Sequence, residues 1–229
     1  MNKTTIVAFL ILVSCKLSAN DLNPEINNIE SQWAKIYYTK TCSEQKLYYP
    51  ALIEKTKLLA DKYPKTVEPI IWQAIIIATN AAFEPPFKAL DSINTAKELL
   101  EQSIKEQPKA LQGAAFVVLG TLYYMTPGWP ISFGDQKKAE SLFKRALKIN
   151  PSSIDTNYFY ADYLLTQNKL NSAQKYFKRA INLAPRPHQH FADTQLKKEA
   201  MIALKNTELR KLETGKNKFL SLFSSASAL

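Results

Sequence analysis

Apolar residues in this chain recur every third or fourth position rather than every second, which predicts helices throughout the body and no sheet. In "AESLFKRALKINP", Ala139, Phe143 and Ala146 stand at i, i+4 and i+7 with charged residues between them. That spacing is one stripe of an amphipathic helix, where small residues admit a neighbouring helix and Phe fills the gap. Pro151 cannot continue the helix and so closes it. The pattern returns in "AQKYFKRAINLAP" as Ala173, Phe177, Ala180 and Pro185, each 34 residues after its counterpart. Upstream, Ala96, Leu100, Ser103 and Pro108 repeat the stripe, and "ALIEKTKLLADKYP" ends at Pro64 with Ala51, Leu59 and Ala60 as its apolar support. The closing prolines at 64, 108, 151 and 185 are separated by 44, 43 and 34 residues, so the two middle units are longer.

A small residue, an aromatic, a second small residue and a closing proline, repeated every 34 residues, resemble the tetratricopeptide repeat. The match is clearest over 109–151 and 154–185. The resemblance implies an all-α fold of stacked antiparallel helix pairs wound into a compact right-handed superhelix, here spanning 20–213. A basic helix from about Asp193 to Leu212 is expected to cap the stack through Leu196, Ala200, Ala203 and Leu204. The extra residues of the long units, "FEPPFKALDSI" and "TPGWPISFGD", fall at the corresponding turn of each pair. Two inserted loops should therefore meet on one edge, bringing Phe83, Pro85, Pro86 and Phe87 beside Trp129, Pro130 and Phe133. Asp135 is placed to cap the helix that follows.

In such repeats the first helix of each pair lines a concave groove. The lysine, arginine and asparagine clamp that grips acidic chaperone tails is missing from those positions. Instead "EPIIWQAIIIATNAAF" and "ALQGAAFVVLGTLYY" are apolar nearly all round, as in helices covered on both sides. Something must fill the concave side. One expectation is that the N-terminal helix, Pro24 to Tyr38 with Trp33, or the inserted loops fold over it. The other is a pocket walled by Tyr123, Tyr124 and Tyr158, lidded by Trp129 and Phe133, with Asp162 as its polar element. Phe87 joins these as a candidate contact from the other loop. The occupant would be a protein partner or a small apolar ligand.

From Gly113 to Tyr163 the chain also resembles the T-component of tripartite ATP-independent periplasmic transporters. The resemblance rests on Gly113-Ala114-Ala115, Gly120, Tyr123-Tyr124, Pro127, Gly134-Asp135 and Tyr160-Ala161-Asp162. It implies, as an alternative to a protein-interaction scaffold, a ligand-binding accessory of a transport system.

The ends change the picture of where such a protein works. Lys3, an apolar run from Ile6 to Val13 and small residues ending at Ala19 have the order of a secretory leader over 1–19. "LVSC" also resembles the lipobox of bacterial lipoproteins, which makes Cys15 a candidate lipidation site; the two cleavage readings stay open. Both point to the periplasm. Cys42 then lacks an intramolecular disulfide partner, so stability must come from the core. The formal net charge of +10 is expected to be a lysine-rich solvated surface rather than a nucleic-acid site, with membrane contact only through a lipid anchor. His188 and His190 with Asp193 are too few for a metal site, and no phosphate loop, paired-carboxylate motif or nucleophile elbow appears. The expectation is a non-enzymatic protein without cofactor or metal. The serine-rich end, 214–229, is expected to be a disordered tail.

Overall fold

The computed structural model describes residues 19–208. The expectations on the leader, on Cys15 and on the tail over 214–229 lie outside the described residues. Among the described residues nine α-helices follow one another in antiparallel order: α1 (Ala19–Thr39), α2 (Cys42–Lys62), α3 (Glu68–Asn80), α4 (Pro86–Glu106), α5 (Ala114–Met125), α6 (Gln136–Ile149), α7 (Ile154–Thr166), α8 (Leu170–Asn182) and α9 (His190–Glu208). No strand occurs among the described residues, so the all-α reading holds. Sequential helices pack against each other along the whole stack.

The proline stops act as the sequence predicts. Helices α2, α4 and α6 end two residues before Pro64, Pro108 and Pro151, and α8 ends three before Pro185. The residue preceding each of the first three prolines leaves the helical region, with φ and ψ of −122° and 63° at Tyr63, −139° and 77° at Gln107, and −137° and 88° at Asn150. The proline ring disfavours helical backbone at the position before it.

Counting back 12, 8 and 5 positions from each proline gives Leu52, Thr56 and Leu59, then Ala96, Leu100 and Ser103, Ala139, Phe143 and Ala146, and Ala173, Phe177 and Ala180, and all are buried. The first unit therefore keeps the stripe with changed residues, and its support is Leu52, Thr56 and Leu59 rather than Ala51 and Ala60. Ala51 is exposed. In the third unit Phe143 packs among Tyr124, Tyr160 and Tyr163 at ring-centroid distances of 6.0, 5.8 and 5.7 Å. Replacing such a fully buried ring by Ala costs about 3–5 kcal/mol.

The two long units use their extra residues differently. In the third they form the expected loop between α5 and α6. In the second they mostly lengthen α4 to 21 residues, against 14 in α6 and 13 in α8. Pro86 starts that helix at a position where its missing N–H is no loss, and Ala89 and Ile93 carry the buried stripe back toward it. Helix α5 starts later than Lys109, because Leu111, Gln112 and Gly113 adopt φ of 45°, 56° and 85° in a short 3-10 turn. A side chain at Gly113 would meet Ile149 at 3.1 Å. Helix α9 begins at His190, and Leu196 and Ala200 are buried as expected of a cap.

Helix α1 packs on α2 and α3 and reaches α9. Its apolar Leu22, Ile26 and Ile29 join Tyr49, Leu52, Leu59, Trp72 and Ile76 in a cluster of their own. Farther along, the Trp33 indole N–H donates to Thr79 Oγ1 at 3.3 Å, and its ring lies 5.8 Å from that of Trp72 on α3. One turn on, Tyr38 packs edge-on against Phe191 of α9 at 6.1 Å. The first helix thus bridges the second unit and the last helix, closing the stack on itself.

Candidate functional site: the α5–α6 loop

The loop from Thr126 to Asp135 is held at both ends by its own backbone. Gly134 N–H donates to Pro127 O at 2.9 Å, and Asp135 N–H donates to Tyr123 O at 2.9 Å. Asp135 then caps α6, its carboxylate accepting from Lys137 N at 2.8 Å and Lys138 N at 3.0 Å. Inside the loop, Ile131 N–H donates to Gly128 O at 3.1 Å. Position 134 admits only glycine, since a Cβ there would lie 2.0 Å from Thr126 O. The chain needs a residue without a side chain to bring the two loop ends together.

Beneath the loop, Phe133 turns inward and meets Tyr123 edge-on at 5.1 Å. Lys97 Nζ sits 5.5 Å from the Phe133 centroid, and Lys138 Nζ 4.4 Å from that of Tyr123. The Tyr123 hydroxyl donates to Glu101 Oε1 at 3.1 Å. Burial raises the Glu101 carboxyl, but the Tyr123 hydroxyl with Lys97 and Lys138 outweighs it and holds the group below the usual range. Two cations, an anion and two rings therefore lock the base of the loop. At its tip the opposite holds. Trp129 is 90% exposed and Ile131 68% exposed.

The other expected site residues are placed elsewhere. Tyr124 is fully buried and donates to Asp162 Oδ2 at 2.5 Å, so these two meet inside the core. Burial, and then the Asp162 charge, push the Tyr124 hydroxyl well above its ordinary range. Tyr158 donates to Glu199 Oε2 at 3.2 Å and packs on Phe177, on the side of α9. Phe87 stands on α4 and is 87% exposed. Phe83 stacks on Tyr49 of α2 at 6.0 Å, away from Phe133. Among the described residues no ring contact joins Phe83 or Phe87 to Trp129 or Phe133, and the single aromatic edge expected from two inserted loops is not formed. The reason is the lengthened α4, which absorbs the first insertion as helix.

Sequence reasoning overlooked two clusters. One is the Lys97, Glu101 and Lys138 base of the loop; the i, i+4 spacing of Lys97 and Glu101 was readable, but their target was not. The other surrounds Arg186, whose guanidinium donates to Asp193 Oδ2 at 3.0 Å and Asp155 Oδ2 at 2.8 Å. Asp193, the carboxylate beside His188 and His190, is thereby engaged by an arginine. Among the described residues no group of three potential metal ligands comes together.

Residues 131–195 match the family described as tetratricopeptide repeat. The match takes in the end of the loop, helices α6, α7 and α8, and the start of α9. No curated protein matches the chain. Nothing in these comparisons supports the resemblance to the transporter T-component. Proteins of the repeat family typically mediate protein–protein contacts and generally lack catalysis. With stacked helix pairs and buried stripes at a fixed distance from each closing proline, residues 131–195 are matched as tetratricopeptide repeat and the earlier units share their architecture.

Proposed function

We propose that this protein is an exported, non-enzymatic scaffold that holds a protein partner through its α5–α6 loop. The observation that carries this reading is Trp129, 90% exposed at the tip of a loop whose ends are bonded to each other. Burying an indole in a partner's pocket contributes strongly to binding, and a loop already ordered loses little freedom when it docks. Helix α1 packs on α3 and reaches α9, and among the exposed apolar residues Trp129 and Ile131 stand together on one loop. Export rests on the leader-like start, which ends either at Ala19 or, read as a lipobox, just before Cys15, where lipid would then anchor the protein.

Trp129→Ala tests the reading. Capture of the partner from extracts of the native host should weaken more than tenfold, about the effect of one interface hot spot. The melting temperature should stay unchanged, because the side chain is 90% exposed. Leu58→Ala, at another exposed apolar position (62% exposed) on α2, should retain the partner. Equal capture by wild type and Trp129→Ala rejects the loop as the site. Cell fractionation tests export: finding the wild-type protein in the cytoplasm rejects it.

A further inference from the structure

The positive charge of this protein is not spread evenly. Helices α6 and α8 carry eight lysines and arginines against a single carboxylate, Glu140, a surplus of seven within a chain whose formal net charge is +10. These are the second helices of neighbouring repeats. Their inner faces bury Ala139, Phe143 and Ala146 and Ala173, Phe177 and Ala180, so the cations line the outer face, where Lys137, Lys144, Lys148, Lys175 and Arg179 are exposed. Glu140 is already engaged, 2.9 Å from Lys144 Nζ and 3.9 Å from Lys169 Nζ. On α6 a shallow recess of about 420 Å³ is lined by Lys137, Glu140, Ser141, Lys144, Arg145 and Lys148.

We infer that the outer face of α6 and α8 docks on an anionic phospholipid surface. Lysine-dominated faces are poor protein interfaces, whose centres favour aromatic residues and arginine and are depleted of lysine. Base readout in nucleic acid uses arginine forks, and single strands use exposed aromatic platforms beside the cations. Here one of the two arginines, Arg145, is already laid over the Phe116 ring at 4.4 Å. A dense set of mobile ammonium groups is instead what a diffuse layer of negative headgroups attracts, with no need for a pocket of fixed shape. This inference does not depend on the Trp129 loop, which stands on a different observation.

The test uses the full chain with Cys15→Ser, so that no acyl group contributes, and cosedimentation with vesicles of phosphatidylcholine containing about 30% phosphatidylglycerol. At about 0.1 M salt, binding should exceed that to pure phosphatidylcholine more than tenfold, and it should fall steeply at about 0.5 M as the charges are screened. The fourfold variant Lys144→Glu, Lys148→Glu, Lys175→Glu, Arg179→Glu should lose more than tenfold. A control of equal charge change on other helices, Lys46→Glu, Lys57→Glu, Lys88→Glu, Lys105→Glu, should stay within about threefold of the parent. If the first variant loses helical content, the corresponding glutamine variant replaces it with the same expectation. Failure to bind anionic vesicles, an equal loss in both variants, or tighter binding to a DNA duplex at the same salt overturns the inference.

Discussion

Glu30 is 4% exposed on α1, where its carboxyl faces Gln189, Arg186, Asp155 and Asp193 from the last part of the chain. Burial pushes the group up from 4.5 to about 7, against the opposing pull of the Gln189 hydrogen bond and the Arg186 charge. The folded protein therefore binds this proton more tightly than the unfolded chain does. The resulting stability is complete below about 4.5 and is lost as pH rises through about 7, at about 1.4 kcal/mol per pH step. Urea unfolding followed across that window should show a fall of about 3 kcal/mol, and Glu30→Gln should flatten it. Carboxylates held low, such as Glu101 and Glu140, act in the opposite direction and only at more acid pH. An unchanged slope in Glu30→Gln would remove Glu30 as the cause. Nothing in "NNIESQWAK" marks this residue as buried. Its neighbours lie more than a hundred residues away, and no local pattern could reveal them.

At the scale of elements, the helices were legible wherever a stripe and a stop coincide. Ala139, Phe143 and Ala146 ahead of Pro151 fix a helix, its buried face and its end together, and the spacing transfers intact to Ala173 through Pro185. The first unit was harder to read because Leu52, Thr56 and Leu59 replace the small and aromatic residues. Only their distance from Pro64 betrays them. Glycine and proline content alone did not distinguish the two insertions. Pro85 and Pro86 precede a helix, whereas Pro127 and Gly134 brace a loop, and the difference lies in the apolar Ala89 and Ile93 that continue the α4 stripe. Gly134→Ala should confirm what braces that loop. Its Cβ would collide with Thr126 O and Pro127 O, at 2.0 and 2.8 Å, so the ends must separate. The expected cost is about 1–3 kcal/mol, with faster proteolysis between Pro127 and Ser132. A variant as stable and as resistant as the wild type would show that the pinning does not order the loop.

For the whole molecule, the consequence of greatest reach is closure. An open stack would leave Ile75, Ala78, Tyr158 and their neighbours facing water along the inner side. Helix α1 crosses that side, with Trp33 on Thr79 and Trp72, Glu30 near Arg186, and Tyr38 on Phe191. The apolar character of α3 and α5 announced that a cover must exist, and Trp33 made the N-terminal helix a candidate for it. That the cover also reaches α9 follows from tertiary geometry alone. Closure is consistent with Trp129 standing exposed on an outward loop and not in a groove. It is tested most directly by pairing Tyr38→Cys with Phe191→Cys in a Cys42→Ser background and adding a short thiol cross-linker under native conditions. The expected result is rapid, near-complete intramolecular cross-linking that disappears in urea, with Tyr38→Cys paired with Trp129→Cys giving little. A 38–191 pair that links no faster than the 38–129 pair would contradict a stack closed by its first helix.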